Sequence, residues 1–161
     1  MSHRLAAERA NRFRAIAPVI GGMAESVAKN FNPALPVSLL QINGTEDPLV
    51  PYEGGYTRFR KMKLGKTVSV SKIIDLWVKH NGCQEKPIVE QLEDTDPNDG
   101  CAVTSYTFPQ GKANSVVVLL KITGGGHNWP GARKYAPEFF IGKTCRDFKA
   151  TDKILRFFEQ F

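Results

Sequence analysis

The sequence predicts an α/β fold, a mostly parallel sheet with helices on both faces. Three observations carry that expectation. Residues 36–42 and 115–121 are nearly continuous apolar runs, the pattern of strands covered on both sides. Val70, Ile73, Ile74, Trp77 and Val78 fall on one stripe at helical spacing, as do Phe148, Thr151, Ile154, Leu155 and Phe158 near the end of the chain. The run before residue 122 opens into Gly124-Gly125-Gly126-His127, a histidine on a glycine-rich turn at the carboxyl end of a strand, where open α/β sheets hold ligands.

In order, residues 1–12 read as a helix with Leu5, Ala6 and Ala10 on a small apolar face. A short strand pattern follows over 13–20 and ends at Gly21-Gly22. After the strand at 36–42, residues 43–52 are dense in turn formers, and 53–66 form a glycine-bearing loop. The helix at 69–80 stops at Asn81-Gly82. Residues 84–100 are polar and turn-rich. Residues 102–108 alternate like a half-exposed strand, and 109–114 turn the chain into the strand before His127. An amphipathic helix over 147–161 closes the sequence. No repeat or linker divides the 161 residues, so they read as one structural unit.

Composition excludes several functions. The chain is 42% hydrophobic and 24% charged, which is globular rather than disordered. Its net charge of +6 comes from scattered Lys and Arg that do not alternate with aromatics, so no nucleic-acid groove is expected. No apolar run is long enough to span a bilayer, and the polar start is not a signal peptide. His3, His80, His127 and the cysteines lack ligand spacing, so no metal or other cofactor is expected. Cys83 and Cys101 flank a polar loop and could pair, leaving Cys145 odd, or all three could be free thiols.

The chemistry rests on Asp47 and His127. Each follows a strand, and parallel neighbouring strands would bring both side chains to one sheet edge. A carboxylate that accepts the imidazole Nδ1–H fixes the tautomer and leaves the other nitrogen a general base. Acid before histidine is the second half of the order Ser…Asp/Glu…His. A lone Asp in Thr45-Glu46-Asp47-Pro48 is otherwise an ordinary turn residue.

Gly44-Thr45-Glu46-Asp47-Pro48-Leu49-Val50-Pro51-Tyr52 resembles the acid loop of the polyhydroxybutyrate depolymerase and feruloyl-esterase-like family of α/β-hydrolases. Gly124-Gly125-Gly126-His127-Asn128-Trp129-Pro130-Gly131 resembles that family's histidine loop. Asn81-Gly82-Cys83 with Cys101, the closing segment from Asp147, and Met1-Ser2-His3-Arg4-Leu5-Ala6 are also similar to it. The resemblance covers essentially the whole chain. It implies the carboxy-terminal part of an α/β-hydrolase domain, Asp47 and His127 as catalytic residues, and a Cys83–Cys101 disulfide. It also implies a parent protein that is extracellular or periplasmic. Trp129 and Tyr52 become candidates to line the acyl or alcohol pocket, with ordinary packing as the alternative.

The family's nucleophile is a Ser in Gly-x-Ser-x-Gly, and no such motif occurs in residues 1–161. By resemblance it lies about five positions ahead of Met1. The expected function is therefore serine-dependent hydrolysis of a carboxylic ester that requires a missing amino-terminal half, with this fragment inactive alone. The expected substrate is a polyester, a feruloylated or acetylated polysaccharide, or a small ester. The alternative is a non-catalytic module that binds such a ligand in the same cleft.

Overall fold

A computed structural model describes residues 1–59 and 62–161. The elements are α1 (Ser2–Glu8), β1 (Ala15–Ile16), α2 (Glu25–Lys29), β2 (Ser38–Gly44), β3 (Gly55–Phe59), β4 (Met62–Thr67), α3 (Val70–Asn81), β5 (Ile88–Gln91), β6 (Ala102–Phe108), β7 (Val117–Thr123), α4 (Glu138–Ile141) and α5 (Ala150–Phe158). Five strands form one sheet in the order β1-β2-β7-β6-β5. The pairs β1–β2 and β2–β7 are parallel, whereas β6–β7 and β5–β6 are antiparallel. The fold class is α/β with a mixed sheet, and the parallel half carries the two apolar strands that the sequence singles out.

Strand alternation splits the core into two layers. Leu39, Val117 and Leu119 point to the face covered by α1, α2 and α3, where Trp77 is fully buried. Leu40, Ile42, Leu120 and Ile122 point to the other face, against Phe148 just ahead of α5 and Phe157 near its end. Helix α3 is well bounded. Ser69 caps it by accepting from the Lys72 N–H at 3.2 Å, and Gly82 ends it in the left-handed region at φ 65°. Its last residue, Asn81, is fully buried and clamps Val37 at the entry to β2, donating to the carbonyl at 2.8 Å and accepting from the N–H at 3.3 Å.

Several expectations change. Only Ala15–Ile16 of the 13–20 segment is strand, extended by a single bridge from Val19 to Ile42. Pro18 has no N–H to continue a ladder. The segment expected as a loop over 53–66 forms the antiparallel β3–β4 hairpin among its described residues; residues 60 and 61 lie outside them. The polar stretch 84–100 contains the exposed edge strand β5. Cys83 and Cys101 do not pair: both are free thiols, and they sit in the two different core layers on opposite faces of the sheet. A disulfide cannot cross that sheet without rebuilding it.

Candidate active site

The register of β2 against β7 pairs Gly44 with Ile122, so both strands end together and their following loops rise at one edge. The two loops are then fastened to each other. Thr45 N–H donates to the Ile122 carbonyl and Glu46 N–H to the Gly125 carbonyl, each at 2.9 Å. Thr45 Oγ1 accepts from Gly124 N–H at 3.0 Å. Contact is close enough that a Cβ on Gly44 would fall 2.1 Å from the Gly125 oxygen, which explains the glycine there.

This joint sets Asp47 against His127. His127 Nδ1 lies 2.8 Å from Asp47 Oδ2. The other carboxylate oxygen, Oδ1, accepts from the Leu49 and Val50 N–H groups at 2.8 Å each. The Asp47 side chain is wholly buried, whereas 21% of the His127 side chain is exposed. A carboxylate already holding two amide donors acts as an acceptor toward the ring, so Nδ1 carries the proton. Among the described residues no hydrogen bond reaches Nε2, which is left as the ring's available acceptor.

The histidine loop is held from behind by the last residue of α4 and the segment after it. His127 N–H donates to the Ile141 carbonyl at 2.5 Å, and Gly126 N–H to the Lys143 carbonyl at 2.9 Å. Tyr135 Oη donates to the His127 carbonyl at 3.0 Å. Burial and the nearby Asp47 carboxylate push the Tyr135 phenol up. Leu49 of the acid loop, with Phe59, Tyr135, Ala136, Phe140 and Ile141, lines an apolar recess of about 230 Å³.

Trp129 and Tyr52 stand apart from this recess. Trp129 leans on α5, its Nε1 donating to Thr151 Oγ1 at 3.3 Å. Tyr52 packs on the α3 side beside Tyr106, Phe108 and Lys121, where burial, aided by Glu53, pushes its phenol up to about 12. Sequence does not single out Tyr135, Phe140 and Ile141, because a short apolar stretch carries no local signal that it folds back over a distant loop.

Over 164 aligned residues the chain is 29% identical to NocK of Nocardia uniformis subsp. tsuyamanensis, a protein named as an esterase; the match covers 98% of this chain and 47% of the relative. It is 27% identical over 129 residues to feruloyl esterase B of Piromyces equi, covering 79% of this chain and 22% of that protein. The chain is thus similar, at low identity, to proteins named as esterases and feruloyl esterases. A further relative, feruloyl esterase C of Emericella nidulans, is 31% identical over 88 residues, covering 55% of this chain and 26% of that one. The chain thus spans about half the length of NocK and about a quarter of the two feruloyl esterases. No family model and no solved structure matches it.

Proposed function

We propose that this chain is the carboxy-terminal portion of one α/β-hydrolase domain that hydrolyses carboxylic esters by serine acyl transfer. In this reading the serine sits on a nucleophile elbow ahead of Met1. His127 Nε2 takes its proton during attack on the ester carbonyl and returns it to the leaving alcohol. Asp47 holds the ring in the Nδ1–H tautomer and stabilises the imidazolium. The single observation that carries the reading is the 2.8 Å contact between His127 Nδ1 and a fully hydrogen-bonded, buried Asp47, with Nε2 left available. A module that only bound ligand would have no chemical use for such a pair.

The recess whose lining includes Leu49, an amide donor to Asp47, and Tyr135, which bonds the His127 carbonyl, is aromatic and aliphatic and suits the ring of an aromatic acyl group. The relatives' names point the same way, so we favour a feruloyl ester on a polysaccharide over polyhydroxybutyrate. Such polymers do not enter cells, and the reading therefore includes an extracellular or periplasmic parent. The 161 residues alone, without a nucleophile, are inactive in this account.

The test is steady-state hydrolysis of methyl ferulate and p-nitrophenyl acetate by the protein produced with the residues encoded ahead of Met1. His127→Ala is expected to lower kcat by about a million-fold and Asp47→Asn by about ten-thousand-fold, each with little change in KM. Equal activity of His127→Ala and the unmodified protein would overturn the proposal.

A further inference from the structure

Cys101 and Cys145 are distant in sequence and adjacent in space. Cys101 sits just before β6, and Cys145 lies in the strap 141–145 that leads out of α4 from its last residue. Both are buried, at 7% and 2% exposure, in the core layer on the α5 face. Their sulfur atoms and the Asp99 carboxylate lie within 4.8 Å of one another. The same carboxylate pins the backbone on both sides of the thiols: Oδ1 accepts from Cys101 N–H at 2.7 Å, and Oδ2 from Arg146 N–H at 2.6 Å. Apart from each other, the thiols make weak contacts, Cys101 with the Asp99 carbonyl at 3.8 Å and Cys145 with Asp147 Oδ2 at 3.7 Å. Cys83 belongs to the opposite face and faces the Ser115 carbonyl at 4.0 Å.

We propose that Cys101 and Cys145 are a disulfide-forming pair whose closure ties the strap behind the histidine loop to the sheet. The oxidant is a small-molecule disulfide. Cys101, the more exposed of the two, attacks as thiolate; one sulfur of the reagent leaves as a thiol with the proton Cys101 gave up. Contact with Cys101 and burial push the Cys145 thiol up, so it waits as the neutral thiol and resolves the mixed disulfide. Its sulfur then bonds to Cys101, and the second reagent thiol leaves with its proton. Two S–H bonds are exchanged for one S–S bond, and the reagent disulfide is reduced to two thiols.

The strap is what the bond would hold. Ile141, Lys143 and Cys145 offer their carbonyls to the N–H groups of His127, Gly126 and Gly131, and Asn128 Nδ2 donates to Thr144 Oγ1. Residue Ala102 of β6 pairs with Thr123 at the end of β7, the strand that feeds the same loop. A Cys101–Cys145 bond would therefore close a covalent ring through β6, β7, the histidine loop and its strap. This holds whether or not the loop serves an esterase.

The experiment is to incubate the reduced protein with oxidised glutathione, denature and alkylate it, and map the peptides by mass spectrometry. The expected product is a Cys101–Cys145 linked peptide with Cys83 alkylated, and the same link in a Cys83→Ala variant. Amide exchange at Gly131, which bonds to the Cys145 carbonyl, should slow on oxidation. Three alkylated cysteines, a lasting glutathione adduct, or a link to Cys83 would overturn the pairing. So would zinc retained through dialysis that shields both thiols until a chelator is added. Unchanged exchange at Gly131 would overturn the tie to the histidine loop.

Discussion

On the α3 face of the sheet, Leu39, Val117 and Leu119 share their layer with His3, Gln41 and Asn43, all buried. On the α5 face, Leu40, Ile42, Leu120 and Ile122 meet Phe148, Phe157 and two thiols. The first layer is a partly satisfied polar network. Trp77 Nε1 donates to His3 Nδ1 at 3.3 Å, and Gln41 Nε2 donates to the Gly21 carbonyl and to Asn43 Oδ1. Yet His3 Nε2, Gln41 Oε1 and Asn43 Nδ2 complete no hydrogen bond. Among the described residues, the second layer holds no buried side-chain polar atom left without a hydrogen bond. The difference teaches that one sheet can be sensitive to protons on one side and to thiol chemistry on the other, because each face is filled by residues of alternate parity on the same strands.

The sharpest way to break the comparison is Trp77→Ala. It would remove the largest buried side chain, its edge contact with Phe31 at 4.7 Å and the donor to His3. A loss of about 3–5 kcal/mol in urea unfolding is expected. A smaller effect distinguishes the faces by pH. Burial pushes the His3 ring down to about 4, with the neighbouring Gln41 amide favouring its charged form without completing a bond. The unfolded chain titrates that histidine near 6.5, so between about 6.5 and 4 it binds a proton that the folded state refuses. Stability should therefore fall with pH across that window by about 3 kcal/mol and level off below it. His3→Gln should flatten this portion of the profile; an unchanged slope would assign it elsewhere.

How much of this was legible follows the same physics. β2, β7 and α3 are readable because each has a period or a run long enough to state its burial, and α3 also has both caps in sequence. Asp47 and His127 are readable because turn chemistry and glycines cluster after those strands. The β3–β4 hairpin was not, since its residues are mostly exposed and Lys-rich and carry no buried face to impose alternation. Helix α2 has five residues and no side-chain cap. Cysteine pairing was beyond the sequence: Cys83 and Cys101 flank one loop, but the face each one occupies is decided by strand parity and by how α3 ends. Tyr135 and Ile141 reach the site through tertiary contacts that no local pattern encodes.

The central claim is that Asp47 and His127 activate a serine supplied from ahead of Met1. The most direct measurement is labelling by a fluorophosphonate of the protein produced with those upstream residues, read by peptide mass spectrometry. The account predicts one labelled serine, located before Met1 in a Gly-x-Ser-x-Gly setting, with labelling abolished in His127→Ala. A serine that labels equally well without His127, or no labelled serine at all, would contradict it.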